Sequence, residues 1–286
     1  MCKTQLYFEE EVRPAPKRAE MEISVNGSLD GSLTSVCLDT LTDPERNTLE
    51  NELTLAAQVQ RAFLPNQRYA RMGWEAAYHY EPAGLLSGDY CDLVETKTGF
   101  LFLLGDVSGK GVAASLRMSQ LHAAFRSLAE ADPPLDVMVE AVNRMFCRRT
   151  ITGQLATVVV GRAERDGAVE FVSAGHLPFL HLSDGRVSEK RATAIPLGVF
   201  RGTRFPVRRF SVSSGNSLLF FTDGLTESPN SEGKEYGIER LKALTKGRLL
   251  PEPSELISEC LSDHLSFTDS ARPTDDLSLL VIRRAV

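Results

Sequence analysis

Apolar positions fall at helical spacing in five stretches of the chain. Leu49, Leu53, Ala56, Gln60 and Phe63 recur at steps of four, three, four and three, and the stripe ends at Leu64-Pro65. The stretch opens with Thr42-Asp43-Pro44-Glu45, in which a polar residue can cap the free N–H groups, proline fits the first turn and an acid favours the positive end. This predicts a helix over 43–64, which either packs on the domain that follows or half-pairs with a second copy of itself. Ala114, Met118, Leu121, Phe125 and Leu128 predict a second helix starting near Val112. After Pro133-Pro134, Leu135, Met138, Val142 and Met145 mark the inward face of a third, and Tyr236–Lys246 and Ser254–Leu265 read as two more.

Elsewhere the pattern is that of strands. Phe100–Gly105 is a short continuous apolar run followed at once by the Gly-punctuated turn Asp106–Gly111. Ala156–Gly161 and Val169–Ser173 flank Asp166-Gly167, and Phe179–Leu182 and Val187 flank Asp184-Gly185. Both are hairpin signals. Ser217–Thr222 and Leu277–Ile282 complete the strands. Hairpins interspersed with pairs of helices predict an α+β layered domain rather than an alternating parallel sheet. Residues 1–42 hold no sustained period beyond a possible short strand at Met21–Val25 and read as a flexible N-terminal leader. The expected division is therefore a leader over 1–42, a linker helix over 43–66 and a folded domain over 67–286.

Composition narrows the function classes. The chain has 286 residues, 42% hydrophobic and 24% charged, which is ordinary for a globular protein. Its longest apolar runs fall far short of the roughly 20 residues that span a bilayer, so no membrane insertion is expected. The formal charge of −6 arises mostly in residues 1–46, with nine acidic and five basic side chains. No basic block marks a nucleic-acid binder. Five cysteines without CxxC spacing, and no signal peptide, predict a reduced cytoplasmic protein.

The chemistry lies in aspartates at strand ends. Asp106 follows FLFLLG, Asp223 follows SLLFFT, Asp89 sits in SGDY with Asp92 three residues on, and Asp275-Asp276 precede LSLLVI. A lone Asp before Gly at a strand end is usually a turn residue. Carboxylates sharing one site repel, and a divalent cation removes that penalty, with oxygen ligands suiting Mg²⁺ or Mn²⁺. Two such ions can activate a water for attack on phosphorus. Other signals take plainer readings. GDVSGKG lacks phosphate-loop spacing, His176 reads as a buried, hydrogen-bonded turn residue, Cys91 has no paired histidine, and Trp74 and Tyr78 read as core.

The segments PAGLLSGDYCD (82–92), GDVSGKGVAAS (105–115), SAGHLPF (173–179), PLGV (196–199), FFTDGLTE (220–227) and TDDLSLLVI (274–282) occur in the order of a known set. Over residues 50–286 the chain resembles the PPM-type metal-dependent serine/threonine phosphatases, in the SpoIIE/RsbU-like bacterial branch. The resemblance implies a four-layer αββα sandwich of two antiparallel sheets flanked by helix pairs, with two Mn²⁺ or Mg²⁺ ions at one edge. It implies that Asp106 bridges both ions, that the Val107 carbonyl and Asp89 hold the second, and that Asp223 and Asp275 hold the first. Asp106 and Asp223 are the expected catalytic residues, Asp276 is not the expected ligand of its pair, and Asp92 is expected to be structural.

Ser108 stands where the eukaryotic branch can carry a histidine, Ser87 replaces the first glycine of the commoner GGD, and Lys110 is a candidate contact for the substrate phosphate. The implied reaction is hydrolysis of a phosphoserine or phosphothreonine by a metal-bridging hydroxide. The implied substrate is a phosphorylated STAS-domain anti-sigma-factor antagonist in a partner-switching pathway. Two alternatives compete. SGDY is also like the GGD loops of nucleotide cyclases, but neither a triphosphate loop nor a base pocket is visible. A catalytically silent pseudophosphatase acting as a binding scaffold would be expected to lose a metal-site carboxylate, and all four expected positions are Asp. Helix 43–64 is expected to form a homodimer or to bind a partner that orders the metal site.

Overall fold

The computed structural model describes residues 42–149, 154–247, 251–269 and 273–285; the leader and the possible strand Met21–Val25 lie outside them. Residues Thr48–Val286 form one compact unit. Helix α1 spans Asp43–Arg61. At its start the Glu45 carboxylate accepts from both the N–H and the hydroxyl of Thr42, so that this hydroxyl is engaged as a donor rather than as the expected cap of the free N–H groups. The helix stops one turn before the expected Leu64, and the chain turns over Ala62–Leu64. Leu49 and Leu53 are partly covered and Gln60 is buried, but the stripe slips at Ala56, which is exposed, and Ala57 turns inward instead.

Eleven strands among the described residues form two sheets, each antiparallel throughout. One orders Arg68–Arg71 (β1), Trp74–Glu81 (β2), Leu277–Arg284 (β11), Ser217–Phe221 (β10), Phe179–Ser183 (β7) and Arg186–Lys190 (β8). The other orders Tyr90–Glu95 (β3), Gly99–Val107 (β4), Ala156–Glu164 (β5), Ala168–Ala174 (β6) and Arg208–Ser211 (β9). Both predicted hairpins are present, with Val158 opposite Ala174 across Asp166-Gly167 and Phe179 opposite Lys190 across Asp184-Gly185.

The layers follow from strand alternation. Along β4, Leu101, Leu103 and Val107 face helices Gly111–Ala129 (α2) and Leu135–Phe146 (α3), while Phe100, Phe102 and Leu104 face the other sheet. Along β11, Leu277, Leu279 and Val281 face helices Ile238–Thr245 (α5) and Pro253–Phe267 (α6), and Leu280 and Ile282 point between the sheets. Both faces of these strands are covered, which is why FLFLL and LSLLVI read as continuous apolar runs. The result is the expected αββα sandwich. The third helical face needs a correction. Met145 is exposed and Phe146 fills the buried place, because a step of four from Val142 keeps the residue on the sheet side where a step of three does not. Among the described residues, no helix is long and apolar enough to cross a membrane.

Candidate metal centre

Strand β4 continues two residues past its apolar run. Asp106 and Val107 therefore lie on the strand, opposite Thr157 and Ala156, rather than in the turn expected from the sequence. Asp223 opens a short helix, Asp223–Thr226 (α4), directly after β10. Asp275 and Asp276 stand immediately before β11. Asp89 precedes β3 and is 1% exposed. The apolar space between the sheets gives way to polar residues at this edge, and the four expected carboxylates are brought to it.

Electrostatics records their proximity. Burial, then the charges of Asp223 and Asp275, push the Asp106 carboxyl up to about 7. Burial and Asp275 raise Asp223 as well. Asp89 is pushed well above the usual carboxylate range by burial and then by Asp106. Such shifts arise where like charges share a dry site, and they disappear when a cation occupies it.

Asp89 and Asp275 are engaged by protein donors. Asp89 Oδ2 accepts from the hydroxyls of Thr222 at 3.0 Å and Ser278 at 2.5 Å, whereas its Oδ1 is buried without a partner. Asp275 Oδ1 accepts from the Asp276 N–H at 2.9 Å, and Oδ2 pairs with Lys110 Nζ at 2.9 Å. Among the described residues, no three His, Cys, Asp or Glu side chains already stand at ligand spacing. The donor chemistry nonetheless fits a hard divalent cation. Acidic oxygens predominate, one of them is an orphaned buried acceptor, and the shared charge asks for neutralisation.

The backbone around them is closely set. At Gly88 an added Cβ would stand 2.7 Å from the Val107 carbonyl and 3.3 Å from Asp106 Oδ1, so only glycine lets the SGD turn approach β4. At Gly224 it would overlap the Asp276 carbonyl.

Asp276 and Asp92 do what their neighbours do not. Asp276 accepts from the Ala83 N–H at 2.8 Å and the Gly88 N–H at 2.9 Å, and so ties the 82–88 loop to the start of β11. Asp92 is fully buried, bonded by Arg126 Nε and Nη2 at 2.7 and 2.6 Å and by the Tyr90 hydroxyl at 2.9 Å. Ser108 is likewise structural, since its Oγ accepts from the Leu155 N–H at 2.8 Å. His176 is buried and shares a hydrogen with Thr157 Oγ1 at 2.9 Å. Burial lowers its pKa to about 4, so at neutral pH it carries no charge. Burial also pushes the Cys91 thiol up, away from nucleophilic thiolate. Trp74 lies in the core between the sheets, and Tyr78 packs against it.

Sequence reasoning missed three residues beside the site, Thr222 and Ser278, which bond Asp89, and Gln60. Gln60 of α1 donates from Nε2 to the Ser87 carbonyl at 2.7 Å and accepts on Oε1 from the Ser87 N–H at 3.0 Å. A helix that reads as a linker is thus joined to the residue two before Asp89. The signal was available, as the one polar position in an otherwise apolar stripe. Ser278 gave a similar signal, as a hydroxyl inside LSLLVI.

A family model for Stage II sporulation protein E (SpoIIE) matches residues 96–285 of the chain. Phosphoserine phosphatase RsbU of Bacillus subtilis is 26% identical over 243 residues, covering 83% of this chain and 71% of RsbU. The chain spans under half the length of three other relatives. Among solved structures, the SiaA-PP2C domain of Pseudomonas aeruginosa superposes with a TM-score of 0.71 at 18% identity, over 83% of this chain and 97% of that one. The catalytic domain of the serine/threonine phosphatase PstP, in complex with two manganese ions, gives a TM-score of 0.55 at 16% identity, over 74% and 99%. The sandwich is therefore the fold of PP2C-type phosphatase domains.

Proposed function

Because this chain belongs to the SpoIIE family, we propose that it is a metal-dependent protein serine/threonine phosphatase acting on phosphoserine or phosphothreonine. The observation that carries this reading is the convergence of Asp89, Asp106, Asp223 and Asp275 at one edge between the sheets, with the buried Asp89 Oδ1 left without a partner. In this reading Asp106, Asp89, the Val107 carbonyl, Asp223 and Asp275 would together hold two divalent cations. Mn²⁺ or Mg²⁺, when bound there, would supply activation of water and neutralisation of charge on the phosphoryl oxygens. The protein's part is to fix the ligands. Asp276 and Gln60 hold the turn that carries Asp89, and β4 holds Asp106. With Ser108 bonded to Leu155, protonation of the leaving group falls to water.

The substrate proposed is a phosphorylated STAS-domain anti-sigma-factor antagonist in a cytoplasmic partner-switching pathway. Its support is family membership and similarity to a protein named a phosphoserine phosphatase. Residues 67–286 form the catalytic domain of this reading, and 43–66 a linker helix that pairs with a second copy or binds a partner. Leu55 and Val59, one turn apart and each more than half exposed on α1, offer it a face. The rival reading, a silent scaffold, draws on the protein donors that already engage Asp89 and Asp275.

Release of phosphate from a phosphoserine peptide and from para-nitrophenyl phosphate, with Mn²⁺, with Mg²⁺ and with EDTA, tests the reading. Metal-dependent turnover abolished by Asp106→Asn is the expected result. A folded protein that binds two Mn²⁺ yet releases no phosphate, with or without a phosphorylated STAS protein, would favour the scaffold.

A further inference from the structure

The cation beside the acidic cluster is Lys110, and its placement is specific. Its Nζ donates to the Thr274 carbonyl at 2.7 Å and pairs with Asp275 Oδ2 at 2.9 Å. Asp275 Oδ1 already accepts from the Asp276 N–H. Both oxygens of this carboxylate are therefore engaged, and a divalent cation that uses Asp275 has to compete with the ammonium for it. The charge of Lys110 also acts on Asp106 and Asp223, in opposition to their neighbouring carboxylates.

The surroundings allow the exchange. Lys110 lies between Gly109 and Gly111, both at positive φ and both with open space where a side chain would stand. Its side chain is 59% exposed. The ammonium can leave Asp275 for water by rotating its own stem, with no repacking of the core. Lysine suits this use better than arginine, whose planar fork holds a carboxylate through two bonds, whereas an ammonium is a compact, strongly hydrated point charge.

We propose that Lys110 is a built-in, displaceable counter-ion of Asp275, which neutralises that carboxylate in the metal-free protein and weakens metal uptake by competing for it. The inference rests on the two-cation reading above. An exposed ion pair is worth a factor of up to about five in a dissociation constant, and that is the size of effect expected.

The test is calorimetric titration of Mn²⁺ into the full chain, stripped with EDTA and dialysed, for the wild type, Lys110→Ala and Lys110→Arg. One site is expected to tighten about two- to fivefold in Lys110→Ala and not in Lys110→Arg, which keeps the charge. Thermal unfolding in EDTA shows that each variant folds, and Mn²⁺ is expected to raise the melting temperature more in Lys110→Ala than in the wild type. Unchanged or weaker binding in a folded Lys110→Ala protein would overturn the proposal and make Lys110 a tether of the Asp275 loop or a bystander. Absence of Mn²⁺ uptake in the wild type and Lys110→Ala alike would overturn the two-cation reading, and this proposal with it.

Discussion

Asp275 and Asp276 are adjacent carboxylates with opposite expected behaviour when each is changed to alanine. Asp276 is 6% exposed and accepts two backbone N–H bonds, from Ala83 and Gly88, across almost 200 residues of chain. Truncating it removes both acceptors and leaves those N–H groups short of a partner. Gly88 is buried, and a buried donor left unpaired loses about 1–3 kcal/mol, whereas Ala83 is exposed and water can take its N–H, so a total near 2 kcal/mol is expected. For a unit of this size that lowers the melting temperature by about 4–8 °C. Asp275 is different, since its side chain is 41% exposed and its long-range partner is the still more exposed Lys110. Losing that pair costs about 0–1 kcal/mol.

The pair of variants is compared by thermal and urea unfolding in EDTA, and by Mn²⁺ calorimetry below the melting temperature. Asp275→Ala is expected to unfold within about 3 °C of the wild type and to lose one Mn²⁺ site. Asp276→Ala is expected to lose stability yet bind two ions, with some weakening because Gly88 precedes Asp89. The reasoning fails if Asp276→Ala is as stable as the wild type, or if Asp275→Ala takes up both ions at wild-type affinity.

Asp106, raised to about 7 in the metal-free protein, holds a proton when folded that it releases when unfolded between its ordinary pKa and 7. Its contribution to stability is thus present at low pH and lost as pH rises through about 7. His176, lowered to about 4, pulls the other way over the acid part of that range, so the measurement is a difference. The pH dependence of unfolding in EDTA is expected to flatten in Asp106→Asn relative to the wild type, and identical slopes would refute the assignment. Gln60→Ala removes both bonds to Ser87, and amide exchange at Ser87–Asp89 is expected to accelerate about tenfold, a loss near 1.4 kcal/mol of local protection. Unchanged exchange would mean that α1 does not hold this turn. If α1 mediates a homodimer, light scattering after size exclusion is expected to show a dimer for the full chain and a monomer for Leu55→Asp/Val59→Asp. A wild-type monomer would leave only the partner-binding version.

The hairpins at Asp166-Gly167 and Asp184-Gly185, the faces of α2 and α3, and the apolar strands β4, β10 and β11 were legible because turn chemistry and hydrophobic period are local properties. Asp106, Asp223 and Asp275 could be singled out because each stands beside a predicted strand, whereas Asp89 was singled out from SGDY alone. Strands β1, β2, β3 and β9 were not predicted; RYAR and RRFS carry little apolar signal and owe their form to pairing with β2 and β6. Met145 was misplaced for a related reason. A helix of 3.6 residues per turn accepts a step of three or four, and only the sheet beneath it chooses.

At the site the division is the same. Residue type and order along the chain determined that acidic side chains would gather at the ends of buried strands. That Asp276 rather than Asp275 is spent on backbone N–H groups of the 82–88 loop was decided by the packing of that loop. Asp92 is taken by Arg126, Asp89 by hydroxyls of Thr222 just after β10 and Ser278 on β11 in the opposite sheet, and Ser87 by a glutamine from a helix 27 residues earlier. A carboxylate's role depends on what is held within hydrogen-bond reach of it. Sequence fixes that reach only for near neighbours, and for distant ones it exists only once the sheets have closed on each other.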